Sequence, residues 1–293
     1  MASARYLLPY VLISAFTYVF AKDGLTYASP YVLGAITSLC TSVALFAVTR
    51  GRLVLNRDTV LFGFFYWLSN VSWLVGLDYI SSAQSAVLSY TMPLFAIPLS
   101  VYVLSERASK FEAYGAALGF AGIVVYNLPL LGGSVTLLGA VLTLTDAVFW
   151  AVFSVYMRKL RLQDPVQTLV TASFMTFLLF GIFSFADFRF RPTLHLAVDV
   201  GYVGLVSGTL NFVLWMALLR TERMARLTTL LFLAPVVTLV FDAAVTGVLP
   251  GYLTLAGVSL IFAGIYVASI LGGRVAETKP LSANSPQQAG HGS

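Results

Sequence analysis

Charge is what this 293-residue chain has least of. Asp, Glu, Lys and Arg make up 10% of it against 59% hydrophobic residues, and the mean hydropathy is +0.88. A soluble domain carries about 25% charged residues, so too few are present here to cover a water-facing globule. A single cysteine, Cys40, excludes a disulfide framework, a thiolate metal cluster and a CxxC redox pair. Two histidines, His195 and His291, leave no His-rich metal site. The sequence has no phosphate loop of the Gly-x4-Gly-Lys-Ser/Thr kind, no HExxH and no paired-aspartate motif, so neither an ATPase engine nor a bound metal is expected. No intramembrane Ser/His/Asp set, repeated carbonyl filter or charged ring is visible, which speaks against a membrane enzyme and a channel. No cofactor is expected.

What is present is long apolar runs. A membrane-crossing helix needs about 20 mostly apolar residues, and ten candidates occur: 6–22, 30–49, 59–78, 82–104, 110–127, 134–157, 165–185, 197–219, 224–247 and 251–272. Their connections are short and carry charge or turn chemistry, as in KDG at 22–24 and QDP at 163–165. Strands of a membrane barrel would be about half as long and would alternate in polarity. The expected fold class is therefore an all-α polytopic membrane protein with ten transmembrane helices. The first segment has Arg5 as its one leading charge and ends in FAKDG, a poor cleavage site, so it reads as a retained helix rather than a signal peptide. The tail 274–293 is polar and rich in Pro, Ser, Gln and Gly, and is expected to be disordered.

The basic residues set the orientation. With ten spans both termini share a side, and only Lys22, Arg189 and Arg191 of the 17 Lys and Arg residues lie opposite it. The positive-inside rule then puts the termini in the cytoplasm of a cell with its cytoplasmic membrane as host. The net charge of +5 is thus a topology signal facing anionic lipid, not a nucleic-acid surface.

The chain also repeats itself. SYTMP (89–93) and GAALGFAGIVV (115–125) recur as LFLAP (231–235) and GVSLIFAGIYV (257–267), offset by 142 residues. Pro93 maps to Pro235, Gly115 to Gly257 and Trp73 to Trp215; Asn70 maps to Asn211 with one residue of slippage, and Lys22 more weakly to Arg158. Each half holds five spans, an odd number, so the second half must enter the membrane upside down. The expected division is 1–129 and 130–273 as two inverted repeats, followed by the cytoplasmic tail 274–293. In secondary transporters such repeats place a substrate site near the midplane.

Two five-helix halves, each with a Pro in its fourth helix and a Gly-x-x-Leu-x-x-x-Gly run in its fifth, plus LSER at 104–107, resemble the drug/metabolite transporter superfamily, specifically its EamA-type ten-helix exporters. The likeness covers about 6–272. It implies cytoplasmic termini, a central cavity lined mainly by helices 1, 3, 4, 6, 8 and 9, and export of small metabolites such as amino acids. This chain departs from the pattern at one gate: the glutamate after the fourth helix is Glu106, but its second-half counterpart is Val248.

Polar groups inside the spans are the candidate site. Asp146 sits mid-span in TLTDAVFWAVF, where insertion scales put an ionised carboxylate at roughly 3 kcal/mol. It must face a wet cavity or carry a proton. The functional reading is a proton-coupling or amine-binding group; the structural one is an acid bonded to Thr143, Thr145 or a serine. Asp242 lies nearer the membrane edge. Asn70 and Asn211, at matching depth, supply donors and acceptors for a zwitterion or bond between helices. Trp67, Trp150 and Tyr90 are expected to line the substrate site. Trp73 and Trp215, with the helix-kinking Pro93 and Pro235, are candidate gates and hinges, although both Trp positions also suit an interfacial belt. Tyr18 and Tyr66 add to the aromatic supply. Ser82, Ser85 and Ser89 share one small, polar helix face that suits lining the pathway or, the favoured reading, close packing. Gly115/Gly119 and Gly204/Gly208 read as packing motifs, Lys22 and Arg158 as snorkelling ends. The expectation is an exporter, not an enzyme, that moves a small metabolite. An amino acid with a hydrophobic or aromatic side chain is favoured, and a proton is a possible coupling ion. The alternatives are a nucleoside, nucleotide-sugar or drug carrier of the same fold, or a membrane enzyme or scaffold.

Overall fold

The computed structural model describes residues 4–49, 53–106, 109–128, 136–160, 165–221, 227, 230–234 and 251–271. These are helical throughout, apart from short connections and an isolated bridge between Ala28 and Phe190. In chain order the helices are α1 (Ala4–Tyr27), α2 (Pro30–Thr49), α3 (Arg57–Tyr79), α4 (Ser82–Ser89), α5 (Met92–Leu104), α6 (Lys110–Asn127), α7 (Leu137–Leu160), α8 (Pro165–Ser184), α9 (Leu194–Val200), α10 (Phe212–Thr221) and α11 (Tyr252–Tyr266). A π-helical stretch, Gly201–Asn211, joins α9 to α10 into one run, and another, Val267–Leu271, extends α11. Five segments are long and apolar enough to cross a membrane: Pro30–Ala47, Arg57–Tyr79, Leu137–Lys159, Gln167–Ser184 and Leu194–Thr221. Most of the expected ninth span, together with Pro235, Asp242, Val248 and the tail 274–293, lies outside the described residues.

Local chemistry explains the ends. Asn56/Thr59, Ser81/Gln84 and Ser109/Glu112 each form a reciprocal capping box, which satisfies the first free N–H groups of α3, α4 and α6. Along the helices large apolar side chains such as Leu12, Val19, Val43, Phe46, Val141, Leu178 and Leu205 stay exposed. In water such a surface would aggregate; on a membrane protein it is the face that lipid covers.

Two spans differ from the sequence expectation. The fourth, read as one helix over 82–104, is broken into α4 and α5. Pro93 has no N–H for the Ser89 carbonyl, and the chain turns at Tyr90 and Thr91 before α5 starts. The eighth, read over 197–219, starts earlier and is π-wound for eleven residues. There the Gly204 carbonyl accepts from Thr41 Oγ1 at 2.8 Å and from Thr209 Oγ1 at 3.0 Å.

Helix pairing follows a two-fold pattern. α2 packs on α8 and α6 on α11, while α1 on the Leu194–Thr221 run is mirrored by α3 on α7. The glycines make the α6–α11 contact antiparallel and reciprocal. A Cβ on Gly115 would stand 2.5 Å from the Gly264 carbonyl oxygen, and one on Gly122 would stand 2.8 Å from that of Gly257. Gly257 and Gly264 are the repeat mates of Gly115 and Gly122, so each glycine meets the mate of the other. The backbones touch because no side chain intervenes. Gly204 packs equally closely on Thr37 and Cys40, and Gly208 on Thr41.

Candidate functional site

The helices enclose a central cavity of about 160 Å³, far beyond the roughly 10–15 Å³ that one water needs. α1 contributes Tyr10, Ser14, Thr17 and Tyr18; α2 contributes Thr37 and Thr41; α3 contributes Tyr66, Ser69, Asn70 and Trp73. The α4–α5 break adds Ser89, Tyr90 and Pro93, α7 adds Asp146 and Trp150, and the π stretch with α10 adds Ser207, Asn211, Phe212 and Trp215. Positions 66, 69, 70 and 73 fall on one side of α3 because i, i+3, i+4 and i+7 share a helix face.

Asp146 is the centre of this wall. It is buried, with Ser69 Oγ donating to Oδ1 at 2.6 Å and Ser89 Oγ to Oδ2 at 3.1 Å. Of the partners expected from sequence, serines hold the carboxyl, while the two threonines are occupied elsewhere: Thr143 Oγ1 donates to the Gly139 carbonyl and Thr145 Oγ1 to that of Val141. Ser69 carries no signal in the sequence, and Ser89 lies on the face that suits either the pathway or packing; the structure puts it at the cavity. Neither serine is near Asp146 in the chain, and only the approach of α3 and α4 to α7 brings them there. Tyr10, Tyr18 and Tyr90 line the same cavity as Asp146 and Ser89.

Most of the residues singled out from the sequence meet at this cavity: Asn70, Tyr90, Asp146, Trp150, Asn211, Pro93, Trp73 and Trp215. Trp67 does not. It lies about 100° round α3 from Tyr66 and stacks on Phe183 with ring centroids 5.4 Å apart, in the packing between α3 and α8. Trp73 and Trp215 are not a lipid-facing belt either: Trp215 is fully buried on Tyr10, centroids 5.3 Å apart, and Trp73 meets Tyr18 edge-on at 5.6 Å. Asn70 Nδ2 donates to the Tyr66 carbonyl and Asn211 Nδ2 to Ser14 Oγ, while Asn211 Oδ1 is buried and has no partner among the described residues. At the unslipped 142-residue offset the mate of Asn211 is Ser69, and the Ser69–Asp146 contact between α3 and α7 is echoed by Asn211–Ser14 between the eighth span and α1.

The described residues that border the cavity differ between its two ends. Toward the end carrying Arg57 and Arg158, rings of Tyr10, Phe62, Tyr66, Trp150, Phe153, Phe212 and Trp215 form a continuous floor. Arg158 pairs with Glu106 at 2.8 Å beyond it. Toward the other end, which carries Asp23, Asp78, Asp187 and Asp199, polar contacts take over. Lys22 Nζ donates to the Leu77 and Asp78 carbonyls at 2.7 and 3.1 Å, capping the C-terminus of α3 rather than snorkelling to lipid. The loop after α8 is stitched onto the α1–α2 junction by Ser29 N–H to the Arg189 carbonyl (2.9 Å), Arg191 N–H to the Tyr27 carbonyl (2.8 Å) and Ser29 Oγ to the Asp187 carbonyl (2.7 Å). Arg189 also pairs with Asp78 at 3.0 Å.

No group of three or more His, Cys, Asp and Glu side chains is placed to hold a metal among the described residues. The cavity wall there carries one carboxyl, Asp146, and no Lys, Arg or His.

Comparison with known proteins agrees with this architecture. The model of the EamA-like transporter family matches the chain twice, over residues 4–128 and 137–270. An "Uncharacterized transporter in sor 3'region" of Acidianus ambivalens is 40% identical over 219 residues, 75% of this chain and 86% of its own length. A "Probable amino-acid metabolite efflux pump" of Salmonella typhimurium is 28% identical over 291 residues, 93% of this chain and 96% of its own. A solved crystal structure shares the fold with a TM-score of 0.79 at 20% identity, covering 94% of this chain and 98% of that one.

Proposed function

The chain belongs to the EamA-like transporter family, and from that membership we propose that it is a secondary exporter of a small amine-bearing metabolite, an amino acid with a hydrophobic or aromatic side chain. That it is a multi-pass membrane transporter of a small molecule follows from the family and the apolar helices. The substrate and the mechanism are our reading. The Salmonella relative's printed description supports the amino-acid reading at 28% identity. The observation that carries it is the central cavity, in which a carboxyl held by two serines faces a wall of aromatic rings.

In this reading ten spans form two inverted five-helix repeats, at 1–129 and 130–273, with both termini in the cytoplasm and the cytoplasmic membrane as host. The reciprocal glycine contacts of α6 and α11 support the inversion, since an antiparallel two-fold pairing is what upside-down copies produce. Alternating access follows, because two equivalent halves exchange conformations about the same cavity. The break before Pro93 is the hinge in the first half, and Pro235 its counterpart. Asp146 binds the amine or a coupling proton, and Asn70, Asn211, Tyr90 and Trp150 complete the site. A nucleotide-sugar is disfavoured, because its phosphates need cationic partners and the described wall has none.

Counterflow in proteoliposomes tests the reading: preloaded unlabelled metabolite should drive uptake of the labelled one, and no flux across an amino-acid and nucleoside panel would overturn it. Proton coupling has its own test. Asp146→Asn should abolish the pH dependence of flux in a protein that still folds; wild-type pH dependence in the variant makes Asp146 structural.

A further inference from the structure

We infer that three serines, Ser14, Ser38 and Ser207, form the seat for the ligand's α-carboxylate, with its hydrophobic or aromatic side chain lying on the ring floor. The inference rests on the amino-acid exporter reading and deepens it by naming the residues that hold the head group.

Hydrogen-bonding capacity carries it. On the side of the cavity built by α1, α2 and the π stretch, six hydroxyls line the wall: Ser14, Thr17, Thr37, Ser38, Thr41 and Ser207. The threonines have other acceptors for their protons. Thr37 Oγ1 donates to the Leu33 carbonyl and Thr41 Oγ1 to that of Gly204, each at 2.8 Å. Thr17 Oγ1 has two acceptors for its one proton, the Ile13 carbonyl at 3.0 Å and Ser207 Oγ at 2.9 Å. The serines differ, since none donates to a main-chain carbonyl among the described residues. Ser14 Oγ accepts from Asn211 Nδ2 at 2.9 Å, and a hydroxyl that accepts from an amide must point its own proton elsewhere. Ser207, accepting from Thr17, has its proton left for the cavity in the same way. Ser38 lines the cavity and makes no hydrogen bond with the described residues. Packing brings the three together. The Asn211–Ser14 and Thr17–Ser207 bonds tie α1 to the π stretch. Gly204, where a Cβ would stand 2.9 Å from the Thr37 carbonyl oxygen, draws that stretch onto α2 next to Ser38.

Three hydroxyl donors from three helices suit a carboxylate. One that accepts two or three hydrogen bonds is held in its charged form, and bonds to an ionised acceptor are about twice as strong as neutral ones. The ligand's own ammonium balances the charge, so the seat needs no cationic side chain. The serines of the other wall are not free for this task, because Ser69 and Ser89 are both engaged by Asp146. Tyr66, Trp150 and Phe212, which line the same cavity, supply rings for the side chain.

The test pairs phenylalanine with phenethylamine, which keeps the ring and the amine and lacks the carboxylate. Binding to the purified full-length protein is read from tryptophan fluorescence, since Trp150 and Trp215 line the cavity. Ser14→Ala, Ser38→Ala and Ser207→Ala are each expected to weaken phenylalanine about tenfold, while phenethylamine stays within about twofold of its wild-type affinity. A serine with only a structural role would not produce that split, because a distorted cavity weakens both ligands alike. Ser38→Ala breaks no hydrogen bond to a described residue, so it keeps the test sound should the other two variants fold poorly. Phenylalanine failing to bind the wild type, both ligands weakening together, or phenylalanine being indifferent to Ser38→Ala would overturn the inference. The two readings fail separately. Amino-acid counterflow that ignores the three serines leaves the exporter standing and removes the carboxylate seat, whereas carboxylate-dependent binding without flux does the reverse.

Discussion

The two ends of the cavity are built from different forces. At the Arg158 end the floor is aromatic: rings from α1, α3, α7 and α10 stack and cross at 4.7–6.4 Å, with Trp215 and Phe153 fully buried. At the Asp78 end closure depends on directional contacts, namely a lysine on helix carbonyls, an ion pair and backbone bonds between loop 185–193 and Tyr27–Ser29. Apolar packing gains stability from buried area and resists partial opening. Hydrogen bonds at a membrane surface exchange for water at little net cost. The contrast predicts that the polar end parts more readily than the aromatic one.

Truncation at the floor should have the largest effect. Trp215→Ala removes a fully buried indole and should cost about 3–5 kcal/mol, read as a lower unfolding temperature in detergent. Trp73→Ala at the polar end, where the ring is half-buried, should cost less; equal losses would erase the contrast. Next comes Lys22→Met, which keeps the apolar stem but strands the Leu77 and Asp78 carbonyls. A loss of about 0.5–1.5 kcal/mol is expected, seen as faster amide exchange near the end of α3 with the floor unaffected. The smallest effect should follow Arg189→Ala. Its side chain is 51% exposed, so the pair with Asp78 is worth about 0.2–1 kcal/mol, and the difference from wild type should shrink as salt is raised. A salt-independent loss would mean that loop 185–193 is held by something other than that pair.

Much of this arrangement was legible in the chain because periodicity and charge act locally. Hydropathy placed α2, α3, α7 and α8 within a few residues, and Gly115/Gly119 read as a packing motif, although that α11 is its partner only the fold shows. Asp146 stood out because an unpaired acid in an apolar run is costly wherever the run goes. The misses have equally physical causes. Trp67 shares its residue type with true cavity residues, but its direction depends on where α8 packs. The π stretch at Gly201–Asn211 leaves no signal beyond its small residues. Lys22 looked like a surface anchor because its acceptors are main-chain carbonyls of α3, which no side-chain pattern reveals. Ser69 is a common small residue in a helix until it lies opposite a carboxyl.

Composition alone determined that this protein lives in lipid, since too little charge exists to hydrate its surface, and the 142-residue echo announced two related halves. Tertiary structure alone decided which hydroxyls hold Asp146, which rings face the cavity and how each end is closed. Burial in lipid is a property summed along the chain, whereas a hydrogen bond between helices exists only when two distant residues arrive within about 3 Å of each other.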